Sequence, residues 1–166
     1  MINFRAHSLF VAPLVCLASP ATPKEVTDPL RFFAGRTETQ AVVKVLFKKP
    51  YRSRSLGLGR IEADGSLTLV QHVQDDGKPA HERRWRVRQV GPGHYTGSMS
   101  EASGPVDIQQ VGDRYVFRFK MKGNLNAEQW LSPTPDVAVA RSSTKVRRFG
   151  VTVAPTEGTV RKISES

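Results

Sequence analysis

Cysteine is almost absent from this chain of 166 residues: Cys16 is the only one, and it sits in an apolar N-terminal run. A disulfide framework and a cysteine-based zinc site are therefore excluded from the body of the chain. Histidine is scarce too. His7, His72, His81 and His94 share no metal-ligand spacing, and the last three fall in or beside expected strands as ordinary surface residues. Neither a metal site nor a cofactor is expected. Long hydrophobic runs are missing as well. The apolar run at 9–18 is about ten residues, half of the roughly 20 that a membrane-spanning helix needs.

Catalytic signatures are equally absent. Ser98, Ser100 and Ser103 lack the Gly-x-Ser-x-Gly context of a nucleophile elbow. Asp75, Asp76 and Asp113 fall in turns, where a short carboxylate has a structural reason to be. Gly57 and Gly59 precede no helix that could cradle a phosphate. The expectation from residues alone is a protein that is not an enzyme.

Acidic residues are outnumbered: 15 Asp and Glu against 25 Lys and Arg give a net charge of +10. The bases are spread along the chain, which favours an anionic partner. At the N-terminus, Arg5, the run at 9–18 and the small residues Ala18, Ser19 and Ala21 form an export pattern, with a signal expected over 1–21. The residues before Cys16 are Leu14 and Val15, not the small residue a lipobox requires, so no lipid anchor is expected. The destination would be the periplasm or outer envelope of a bacterium. Residues 22–30, with Pro23 and Pro29, read as a linker, and one domain is expected over 31–164.

What is abundant is alternation. Tyr115, Phe117, Phe119 and Met121 occupy every second position, with Val116, Arg118, Lys120 and Lys122 between them. Strand side chains point to opposite faces with a period of two, so this is a strand with one apolar and one cationic face. The pattern repeats at 36–47, 55–63, 67–74, 80–90, 94–100 and 104–110. Weaker versions follow at 128–131, 137–141, 146–153 and 159–163, and residues 48–54 and 155–158 read as connections. Turn pairs such as Asp64 with Gly65 and Asp76 with Gly77 separate them. No segment shows sustained helical periodicity. Some eight to ten short strands joined by hairpins predict an all-β fold: a single antiparallel up-and-down barrel, lipocalin-like.

Phe32 and Phe33 with Gly35, Asp76 and Gly77 followed by Arg84 and Trp85, and Gly93 with Tyr95 and Gly97 form an ordered set of motifs. Gly112 before the aromatic strand, Trp130 with Leu131, Arg141, Lys145, and Phe149 with Gly150 and Val151 continue it. From Phe32 to Ile163 the chain thereby resembles the bacterial family known as domain of unknown function 3833. The resemblance implies an exported envelope protein with a lipocalin-like barrel and no assigned activity.

Two surfaces carry functional expectations. A small barrel either fills with side chains or holds one small ligand. The ligand-lining candidates are Trp85, Tyr95, Met99, Tyr115, Phe117, Phe119 and Met121, with Arg83, Gln71, Gln89 and Gln110 as polar handles. The ligand would be small and apolar or amphipathic, such as a lipid or fatty acid, and the protein its carrier or sensor. The alternative is a structural or interaction role. Arg84, Arg86 and Arg88 on one strand and Arg118, Lys120 and Lys122 on another would, if adjoining, make a cationic wall for anionic lipid or lipopolysaccharide. Nucleic acid is not expected, because the aromatic residues that would stack on bases lie on the opposite face from these cations.

Overall fold

The computed structural model of the chain describes residues 28–163. The export segment at 1–21 and residues 22–27 of the linker lie outside that range. Ten strands are arranged as one closed antiparallel barrel in which every strand pairs with its sequence neighbours and β1 closes on β10. They are β1 (Gly35–Val43), β2 (Tyr51–Ile61), β3 (Leu67–Asp75), β4 (His81–Gly91) and β5 (His94–Met99), then β6 (Val106–Val111), β7 (Arg114–Met121), β8 (Leu125–Pro133), β9 (Val139–Arg148) and β10 (Val151–Ile163). Closure removes both sheet edges, which satisfies every ladder without a covering layer of helices. The expected all-β, lipocalin-like barrel is the observed architecture.

One helical turn precedes the barrel, α1 (Pro29–Phe33), within a segment read from sequence as linker and strand lead-in. Pro29 stands at the first helical position, where a missing N–H costs nothing. The Asp28 carboxylate accepts from the Leu30 N–H at 2.9 Å and caps the turn. Leu30 and Phe32 are buried, plugging one end of the barrel. Gly59 on β2 is required by this plug. A Cβ there would lie 1.9 Å from the Phe33 carbonyl oxygen. Lys162 Nζ donates to the Arg31 carbonyl at 2.9 Å and ties the last strand to the same turn.

Strand limits differ from the alternation in four places. The chain leaves β1 at Val43, and Phe47 sits at φ 60, a turn conformation that hydrophobic alternation does not register. β2 starts at Tyr51, inside the basic stretch read as a loop, because Arg52 and Arg54 point outward from a paired strand. Pro155 does not interrupt β10. A register shift between Thr152 and Ala154 accommodates it, and its carbonyl accepts from the Lys44 N–H at 2.9 Å. The expected strands at 137–141 and 146–153 are redistributed between β9 and β10, with the turn at Phe149 and Gly150, both at positive φ.

Candidate functional site

The barrel interior divides into two halves. Near α1 it is filled. Tyr95, Ile108, Tyr115, Leu131, Ala140 and Val160 are buried there with Leu30 and Phe32. The rings of Tyr95 and Tyr115 meet edge-to-face at 6.0 Å, and the Tyr95 hydroxyl donates to Asp28 Oδ1 at 3.3 Å. Burial, then the neighbouring Asp28 carboxylate, raises the Tyr95 pKa; burial likewise raises that of Tyr115. Tyr95 and Tyr115, expected to line a ligand, are thus buried side by side in the half beneath α1. Gln89 and Gln110 lie at that end too, exposed and bonded to the turn carbonyls of Gly91 and Gly112.

Toward the opposite mouth the inward side chains stay half-exposed. On one wall stand Trp85 and Phe119 with the buried Phe117. Their rings are edge-to-face, Trp85 being 6.4 Å from Phe117 and 6.1 Å from Phe119. The facing wall, from β2, β1, β10 and β9, carries small and hydroxylated residues: Ser53, Thr39, Thr156 and Thr144 are all inward and half-exposed. Large rings on one wall thus stand opposite small side chains on the other, and both sets keep part of their surface exposed. Met99 is buried within the aromatic wall, and Met121 is half-buried at the rim.

Most polar groups of the interior are oriented by partners. Gln71 is buried and accepts from the Trp85 indole N–H at 2.8 Å, which fixes the ring. Gln129 donates to Ser142 Oγ at 2.8 Å on the other side. Thr37 Oγ1, on the strand opposite Gly57, is buried and has no hydrogen-bond partner in the structure. At the mouth, Glu101 binds Arg83 Nε at 2.5 Å and His81 Nε2 at 3.1 Å. Asp75 accepts from Lys78 at 3.0 Å; despite the opposing effect of burial, hydrogen bonds from Ser53 and Lys78 lower its pKa. The mouth therefore holds carboxylates, an imidazole and a guanidinium within reach of a molecule seated in the open half.

Arg83 was legible as a handle, but His81 and Glu101 were missed. The signal was available by counting back from the turn between β4 and β5. Trp85 pairs with Met99, so the next inward positions toward the mouth are Arg83 and Glu101. The hairpin bulge between Gln89 and Gly91 obscures that count.

The cationic ladders do not adjoin. Strands β5 and β6 separate β4 from β7, and His94 and Asp107, bonded at 2.8 Å, occupy the gap. Arg84 is paired with Glu82 at 2.5 Å, Arg86 with Asp64 at 3.1 Å and Arg118 with Glu128 at 3.2 Å. Arg88, Lys120 and Lys122 are exposed. A continuous cationic wall is corrected to two ladders interrupted by carboxylates. Val116, on that outer face, is fully buried beside its cross-strand partner Trp130, whose indole donates to Glu128 at 3.1 Å.

Residues 16–162 match the family described as protein of unknown function (DUF3833). The chain belongs to that family. No curated protein matches it. Among solved structures, it is similar to the S-type phycobiliprotein lyase CPES from Guillardia theta, at 8% identity and a TM-score of 0.62. That likeness covers 82% of this chain and 92% of the lyase, and it establishes a shared fold. It also overturns the expectation that this family member is not an enzyme. That expectation rested on missing catalytic motifs, whereas a protein of the same architecture is a lyase. Side chains that come together from distant positions, as His81 and Arg83 on β4 meet Glu101 after β5, leave no local motif, so missing motifs do not exclude catalysis.

Proposed function

We propose that this barrel binds one small amphipathic molecule in its open half. Its apolar part lies against Trp85, Phe117 and Phe119, and its polar end meets Arg83, Glu101 and His81. The observation that carries this reading is the half-exposed state of Trp85, a ring inside the barrel, held by Gln71 and facing hydroxylated strands. A side chain that merely filled the core would be buried like Ile108. A lipid-like molecule with a polar head fits this division into aromatic wall and charged mouth. The likeness to a lyase of the same architecture supports a site that handles small molecules, with a reaction at the mouth as one use of it.

The test is titration of a fluorescent fatty-acid analogue, with organic extraction and mass spectrometry of the purified protein. Saturable binding at one molecule per chain is expected, and Trp85→Ala should weaken it about tenfold or more. Absence of both a bound extractable molecule and analogue binding in a folded protein would overturn the reading. We also propose an envelope location from the export pattern at 1–21. Cell fractionation that leaves the protein in the cytoplasm would refute it.

A further inference from the structure

Three connections stand side by side at the open mouth. The segment after β1 runs along β10, with the Lys44 N–H bonded to the Pro155 carbonyl and the Leu46 N–H to the Val153 carbonyl, both at 2.9 Å. The turn between β9 and β10 neighbours the one between β7 and β8, because Arg148 pairs with both Val151 and Leu125. At the tips of the first two stand Phe47 and Phe149, 97% and 77% exposed. Leu46 and Val151 beside them are exposed as well.

Turn geometry does not call for these rings. Phe47 and Phe149 adopt φ 60 and 48, a left-handed conformation that glycine or asparagine takes at lower cost than a bulky residue. Each position thus combines an unfavourable backbone with an aromatic ring in water. Such clustered apolar tips mark an interaction surface.

The surrounding charge identifies the partner. Residues 44–50, 120–126 and 145–153 carry Lys44, Lys48, Lys49, Lys120, Lys122, Lys145, Arg147 and Arg148, and no Asp or Glu. Of the carboxylates at the mouth, Asp75 is bonded to Lys78 and Glu101 to Arg83 and His81, while Asp76 accepts from the Arg52 N–H at 3.2 Å, all of them on or beside the β3–β4 hairpin. Below the tips, the loop between β5 and β6 and the outer faces of β7 to β9 form a groove. Arg118, Lys120 and Arg147 line it together with Glu128. Convex apolar tips inside a predominantly cationic collar match an anionic bilayer, with rings entering the acyl boundary and bases meeting headgroup phosphates. We infer that the protein docks mouth-first on anionic phospholipid bilayers through Phe47 and Phe149. This surface lies at the mouth and shares Lys120 and Lys122 with the β7 ladder of the barrel wall, and it does not depend on what the interior binds.

The experiment is flotation of the full chain with phosphatidylcholine vesicles, with and without phosphatidylglycerol, against the F47N/F149N and K48E/K49E variants. Asparagine tolerates the left-handed turns, so the first variant keeps its fold, and circular dichroism checks this. Both variants retain residues 9–18, so a difference from the parent chain reports on the tips alone. Preference for the anionic vesicles is expected, with a fall in partitioning of about tenfold or more in F47N/F149N. A smaller fall is expected in K48E/K49E, with loss of binding at high salt. Unchanged partitioning of folded F47N/F149N would overturn the inference. So would self-association, or binding of a single-stranded oligonucleotide, that this variant abolishes in a protein indifferent to anionic vesicles.

Discussion

The two ends of this barrel are built from the same ten strands and behave as opposites. At the plugged end, apolar side chains meet one another under α1, and the polar groups that remain are paired, as Tyr95 is with Asp28. At the mouth, inward side chains face water and hydrophobic rings stand outside the protein. The closed end carries the stability that pays for the open one. An interior that leaves Trp85 and Phe119 half-exposed forgoes burial energy, and Phe32, Ile108 and Tyr115 must supply it.

The comparison breaks most sharply at the plug. Phe32→Ala should lower the unfolding free energy by about 3–5 kcal/mol, since it empties a buried site, as measured by denaturant titration. Phe119→Ala should cost less than about 2 kcal/mol, because that ring is already partly in water. Equal losses would mean that the two halves are packed alike.

Alkaline titration sharpens the same contrast. Tyr95 has a folded pKa above its unfolded value, about 10, so the folded state holds its proton longer. Its contribution is complete below about pH 10 and is lost as pH rises toward the folded value. Stability should therefore decline through the alkaline range, and more gently in Tyr95→Phe. An identical alkaline slope in that variant would place the sensitive group elsewhere.

The smallest effect belongs to the mouth. Phe149→Asn should leave the unfolding midpoint unchanged or raise stability by up to about 1 kcal/mol, because it relieves a left-handed backbone and loses little buried surface. A marked destabilisation would show that the ring packs against the barrel.

Much of the fold was legible because a strand declares its inward face every second residue. Tyr115, Phe117 and Phe119 point inward together, and Asp64 with Gly65 closes a hairpin, as alternation and turn chemistry predict. The site was legible only in part. Alternation separates inside from outside, but it does not say how far along the barrel axis a residue sits. Tyr95 and Trp85 carry the same inward signal, yet one is sealed in the plug and the other is only partly buried. His81 and Glu101, far apart in the chain, meet only through the register of β4 on β5.

Composition and period therefore established an all-β barrel, its cationic character and the absence of cysteine chemistry in its body. These are local or additive properties, which each residue carries wherever the chain places it. Only closure of the sheet decided which end is filled, which bases meet carboxylates and which rings are left outside. Those outcomes depend on strand register and on the one helical turn that seats against Gly59, and pairing between distant residues leaves no periodic trace in the chain.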